Sequence, residues 1–188
     1  AFPLAERYVA LAPNDPSAWV LLGVSLRGDG RPEAAAAAHR RALELAPDST
    51  GVLSNLGNAL KDMQRHDEAV AAHYRAVQLE PRSVTSWLNL AVALRERGGL
   101  KESLSAFEHV LELDPNHVSA HTDRAQILLM QGEYAPAWDE FEWRWKLPEL
   151  KPPGYTQPRR QRGEVDGMRR RDVSSASASA SARESRPR

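Results

Sequence analysis

The sequence predicts an all-α fold, a solenoid of helix–turn–helix hairpins stacked along a 34-residue period. Three observations carry that prediction. Pro13, Pro47, Pro81 and Pro115 recur at intervals of 34 residues, and a fixed period of roughly 20–50 residues marks repeat architecture. Other columns keep the same step: Trp19, Leu53, Trp87, His121; Leu22, Leu56, Leu90; Gly23, Gly57, Ala91, Ala125; Leu26, Leu60, Leu94, Leu128; His39, His73, Phe107, Phe141; and Ala42, Ala76, Val110. Each period also holds two stretches with apolar residues at i, i+3, i+4 and i+7, the pattern of an amphipathic helix.

The elements follow in order. Residues 1–13 read as the second helix of a truncated leading repeat, closed by Ala12-Pro13 as later repeats are closed by Ala46-Pro47, Glu80-Pro81 and Asp114-Pro115. The array proper covers residues 14–148, with repeats at about 16–49, 50–83, 84–117 and 118–148. In repeat 1 the helices fall near 17–28 and 32–45. Gly30, Gly98-Gly99 and Gly132 supply the positive φ of the turns within repeats 1, 3 and 4, and Gln64-Arg65 stands there in repeat 2. Gly23 and Gly57 let the two helices of a hairpin approach closely, and Ala35, Ala69 and Ala137 are small for the same reason. One hairpin cannot bury its own face, so neighbours must stack. The fourth repeat drifts: Arg124 stands in the column of Leu90, and Arg144 in that of Val110.

A Trp followed after two residues by Leu-Gly, then a large apolar residue, an Ala, an aromatic and a Pro resembles the tetratricopeptide repeat (TPR). The resemblance covers about residues 14–148. It implies a right-handed superhelix, with the first helix of each hairpin lining a concave groove that binds protein or peptide.

Composition narrows the function classes. The net charge is zero over 188 residues, but from Gln157 onward nine Arg face four acids, so residues 1–156 carry −5 against +5. With no Cys there is no disulfide, thiol nucleophile or Cys-ligated zinc, which fits a reducing, cytoplasmic location. No apolar run approaches the roughly 20 residues of a membrane span, and no signal peptide is visible. The missing initial Met points to a start inside a longer protein. Residues 149–188 read as a linker and a disordered Arg/Ser/Ala-rich tail, because such a composition buries too little apolar surface to offset its ordering entropy. Arg159-Arg160 and Arg169-Arg170-Arg171 could touch phosphates, but no interleaved aromatics or binding fold present them, which argues against a nucleic-acid partner.

The groove columns can be read by period. One runs Leu21, Asn55, Asn89, Asp123; the next runs Val24, Asn58, Val92, Gln126. A carboxamide has one acceptor and two donors, so a row of them can hold an extended peptide backbone whatever its sequence. Asn55-Leu56-Gly57-Asn58-Ala59-Leu60-Lys61 is similar to repeats of O-linked N-acetylglucosamine transferases, and that resemblance implies an asparagine ladder holding an acceptor peptide. The candidate groove set is Asn55, Asn58, Asn89, Asp123 and Gln126, with Lys61 and Arg95 setting orientation; Arg27 recurs in their register. A clamp for acidic chaperone tails would need basic residues on columns that here carry Ser17, Val20, Leu21, Val24, Gly51 and Ser54. His117 and His121 are four residues apart, but His117 falls at a helix start and no HExxH-type acid stands between them, so satisfied core or boundary histidines explain them better than a metal. His39 and His73 are equivalent by period, and packing explains both. Nucleophile motifs, phosphate-cradling loops and carboxylate pairs are all missing, so the chain reads as a binder, not an enzyme, with no cofactor.

Gly132-Glu133-Tyr134, Ala137-Trp138 and Phe141-Glu142-Trp143-Arg144-Trp145 with Pro148 resemble the last TPR of bacterial proteins that continue into a glycosyltransferase region. Pro153 to Arg159 resembles the linker before it. The resemblance implies an alternative: the substrate-recruiting arm of a glycosyltransferase whose catalytic part is absent from this chain. The abrupt change near 157–162 fits a frame shift, a hypothesis discarded if no reading frame of the coding DNA continues into such a region. A second alternative is self-association through Trp138, Trp143 and Trp145.

Overall fold

The computed structural model describes residues 2–143. Nine helices, and no strand, account for the described residues: α1 Phe2–Leu11, α2 Pro16–Gly28, α3 Pro32–Leu45, α4 Thr50–Asp62, α5 His66–Leu79, α6 Val84–Arg97, α7 Leu100–Leu113, α8 Val118–Met130 and α9 Tyr134–Trp143. The fold is an all-α solenoid of paired helices. The sequence-derived tail, residues 149–188, lies outside the described residues.

Local signals set the helix ends. Asp15 caps α2 by accepting from the Ser17 amide at 2.9 Å, and Pro16 takes the first turn, where no amide partner is needed. Ser83 and His117 cap α6 and α8 by accepting from the amides of Ser86 and Ala120, each at 3.2 Å. His117 is therefore a helix cap. The turns inside the hairpins pass through positive φ at Gly30 (73°), Gly98 (92°) and Gly132 (80°), and Gln64 adopts φ 60° at the same point of repeat 2.

Each helix packs on the next, and α2 also touches α4 as α4 touches α6. The first helices of successive hairpins thus share one face. Apolar columns fill the interior: Leu26, Leu56 and Leu60 with the small residues Ala35, Ala59 and Ala69 in one cluster, and Val77, Leu90, Leu94, Phe107, Val110 and Ile127 in the next.

The proline column has a hydrogen-bonding partner column. Trp19 Nε1 donates to the Pro13 carbonyl and Trp87 Nε1 to the Pro81 carbonyl, each at 2.8 Å. His121 repeats the contact, Nε2 to the Pro115 carbonyl at 3.1 Å. Leu53 has no N–H to offer, and the Pro47 carbonyl instead accepts from Arg75 Nη2 at 2.9 Å. Trp19 and Trp87 are therefore both packing residues and donors to a proline carbonyl just beyond the end of the preceding helix.

The drift of the fourth repeat is a coordinated exchange. His121 Nδ1 lies 2.5 Å from Glu140 Oε2, Arg124 Nη1 lies 2.8 Å from Glu140 Oε1, and the His121 ring stacks on Trp143 with centroids 4.0 Å apart. Glu140 occupies the column of Ala38, Ala72 and Ala106, all buried.

Candidate functional site

Three adjoining concavities run along the face shared by α2, α4 and α6. The first, of about 340 Å³, is apolar, with Val20, Leu21, Val24 and Val52 in its walls. Its apolar character explains Leu21 in the asparagine column: the groove changes chemistry along its length. Leu21 and Val24 are 45% and 50% exposed.

The third concavity, of about 450 Å³, brings Asn55, Asn58 and Asn89 together with Ser54, Ser86 and Glu80. Among the described residues no side-chain hydrogen bond occupies these three carboxamides. α4 supplies two of them one turn apart, because residues i and i+3 share a helical face. The 34-residue period puts the third on the same face of α6.

The remaining sequence-derived groove residues are engaged in ion pairs or hydrogen bonds. Arg95 Nη1 lies 2.7 Å from Asp123 Oδ1 and 3.3 Å from Gln126 Oε1, tying α6 to α8. Lys61 Nζ pairs with Glu96 at 3.7 Å, and Arg27 Nε with Asp62 at 2.6 Å. These three cations, in register at the ends of the first helices, each reach into the following repeat. Such partly exposed pairs contribute about 0–1 kcal/mol each and leave none of these three cations unpaired for an acidic ligand.

The second concavity, of about 340 Å³, lies between the other two. It shares Val24 with the first and Asn55 with the third, and is otherwise lined by Arg27, Gly28, His39 and Asp62. His39 is fully buried, and neither ring nitrogen has a hydrogen-bond partner. The ring is packed against Gly23 without a polar contact. Burial, helped by the Arg27 charge, pushes His39 down to about 4, and burial with the Lys61 charge does the same for His73. Both rings are neutral at physiological pH.

A family model described as tetratricopeptide repeat matches residues 1–50 and 54–116, and a second of the same description matches 106–137. The chain belongs to the tetratricopeptide repeat family. No curated protein matches it. Among solved structures, MamA is similar at 18% identity and TM-score 0.70, over 76% of this chain and 83% of that one. MamA 41-end from Desulfovibrio magneticus RS-1 gives 19% and 0.71, over 79% and 82%. Pseudomonas aeruginosa PilF gives 26% and 0.65, over 72% of this TPR chain and 62% of that chain. The MamA likenesses show the fold alone, and the TPR fold is a scaffold of protein-interaction type.

Other candidates resolve simply. No cluster of three or more metal-ligating side chains occurs among the described residues, and no described helix is long and apolar enough to cross a membrane. Of the aromatic set Trp138, Trp143 and Trp145, Trp138 is exposed, Trp143 is buried against His121, and Trp145 lies outside the described residues. Residues 153–159, which carry the glycosyltransferase-linker resemblance, lie outside them too. The sequence reading missed the His121–Glu140–Arg124 group. Its signal was present as three columns, Trp, Ala and Leu, turning polar in one repeat.

Proposed function

We propose that this TPR scaffold holds an extended peptide along the face shared by α2, α4 and α6, and that it binds without catalysing. The observation that carries the reading is the concavity in which Asn55, Asn58 and Asn89 converge with their carboxamides unengaged. Carboxamides match the alternating N–H and C=O of an extended backbone, and the walls add the Ser54 and Ser86 hydroxyls. Asp123, Gln126 and Arg95, bonded together, close the row towards α8, and Lys61 flanks it. The test is a peptide array probed with the full chain. Asn55→Ala/Asn89→Ala should weaken binding about tenfold or more, the loss of one or two hydrogen bonds, with helical content and melting temperature nearly unchanged. Undiminished binding by that variant sinks the reading.

Self-association is a second reading, favoured by the exposure of Met130, Tyr134 and Trp138, at 69%, 64% and 55%. Trp138→Ser would then abolish any concentration-dependent mass in light scattering. A mass that stays monomeric at all concentrations in the unaltered chain removes this reading.

A further inference from the structure

The first and third concavities are the same place in successive repeats. Every wall residue of the first has its counterpart 34 positions on in the wall of the third. The chemistry is reversed between them. Leu21 and Val24 become Asn55 and Asn58, and Ala46 becomes Glu80. The Thr50 hydroxyl donates to Glu80 Oε1 at 2.6 Å. Thr50 lines the third concavity too, so this bond holds the carboxylate of the exposed Glu80 at that wall, beside the carboxamides.

Charge singles out Glu80. The charged wall residues of the three concavities are Arg27, Asp62 and Glu80. Arg27 and Asp62 face each other through two contacts of 2.6 and 3.3 Å. Glu80 forms no ion pair among the described residues, and its Oε2 makes no hydrogen bond there. A carboxylate accepts at both oxygens, so one remains for a ligand. Residues 1–156 carry −5 in total, a field that draws cations and repels anions.

We propose that the peptide in this groove carries a Lys or Arg side chain paired with Glu80 and, two to four residues away, an apolar side chain seated on Leu21 and Val24. The inference rests on the peptide reading above and adds side-chain preferences to backbone contacts that have none. Leu21 and Val24 are exposed to water in the free protein, and an apolar side chain removes that surface from it. A charged side chain finds no partner there, since no wall residue of the first concavity is charged. The separation follows from the fold. Helices α2 and α4 touch, packed helices lie about 8–10 Å apart, and an extended chain advances about 3.3 Å per residue.

The probes are synthetic Gly/Ser peptides with blocked termini, each carrying one Leu and one Lys at these separations and in either order. They are titrated into the isotopically labelled full chain, and saturable NMR shifts of the Asn55, Asn58 and Asn89 side-chain amides report binding. The best of them should bind about fivefold more tightly than the same peptide with Glu for Lys. It should bind about tenfold more tightly than the same peptide with Ser for Leu. Two substitutions separate the halves. Glu80→Gln, which keeps an acceptor for Thr50, should remove the preference for Lys and keep that for Leu. Leu21→Asn, the residue the next repeat already carries in this column, should do the reverse. Added salt should shrink the Lys preference and leave the Leu preference. No saturable shift with any of these peptides overturns the proposal, as does equal binding with Lys and Glu or with Leu and Ser. Shifts of the same amides on dilution without peptide would show a second copy in the groove and overturn it as well. The peptide reading fails separately, if Asn55→Ala/Asn89→Ala binds every peptide as tightly as the unaltered chain.

Discussion

The His73 imidazole occupies the space where a side chain on Gly57 would stand: a Cβ there would lie 2.4 Å from Nε2. Gly23 and His39 are related in the same way, with a Cβ meeting Cε1 at 2.4 Å. In the third repeat both columns change together, to Ala91 and Phe107, and both residues are buried. The glycine and the histidine therefore form one packing unit, with the ring of the second helix set directly on the backbone of the first.

Gly57→Ala separates this packing from helix propensity. In an open helix interior the substitution gains roughly 0.5–1 kcal/mol. Against the His73 ring it must displace a buried side chain, and overpacking costs about 1–3 kcal/mol. Urea unfolding should show a net loss of about 1–2 kcal/mol, and His73→Ala added to Gly57→Ala should cost less than the two changes summed. A stabilised Gly57→Ala protein would mean that the ring yields freely.

The same two histidines make the array sensitive to acid. Unfolding releases each ring to titrate near 6.5, while the folded rings resist protonation until about pH 4. Between those values the unfolded chain binds more protons, so stability falls as the pH drops through the window. Above about 6.5 both states carry neutral rings and this contribution is flat. The full shift corresponds to about 3 kcal/mol per histidine at most. Melting temperatures measured from pH 7 to pH 4 should decline steeply in the unaltered chain and more gently in His39→Phe/His73→Phe. Parallel curves for the two proteins would assign the acid sensitivity elsewhere.

How far the sequence led depended on whether a contact repeats. The 34-residue columns gave the helices, the turn glycines and the face carrying Asn55, Asn58 and Asn89, since each follows from period alone. The bond from Trp87 to the Pro81 carbonyl was hidden because proline reads as a stop and not as an acceptor. The replacement of Leu53 by Arg75 at Pro47 was hidden further, being a long side chain arriving from another helix. Lys61 and Arg95 read as groove cations, because the spacing within one helix does not reveal that Glu96 and Asp123 of the next repeat reach them.

Gln64 supplies the last test. It holds φ 60° at the turn where the other described hairpins use Gly30, Gly98 and Gly132. A side chain in the left-handed region brings Cβ close to the following carbonyl oxygen, at a cost of about 1–2 kcal/mol, which glycine avoids. Glycine also gives the unfolded chain more freedom, which takes back part of that gain. The Gln64 side chain makes one local contact, its Oε1 to His66 Nε2 at 3.1 Å on the surface, and an exposed bond of this kind contributes little. Gln64→Gly should therefore stabilise the array by about 0.5–1 kcal/mol and raise the midpoint of urea unfolding without changing its slope. Gln64→Val, β-branched in the same backbone conformation, should lower it. A midpoint unmoved by either substitution would show that the turn relaxes out of the left-handed region at no cost.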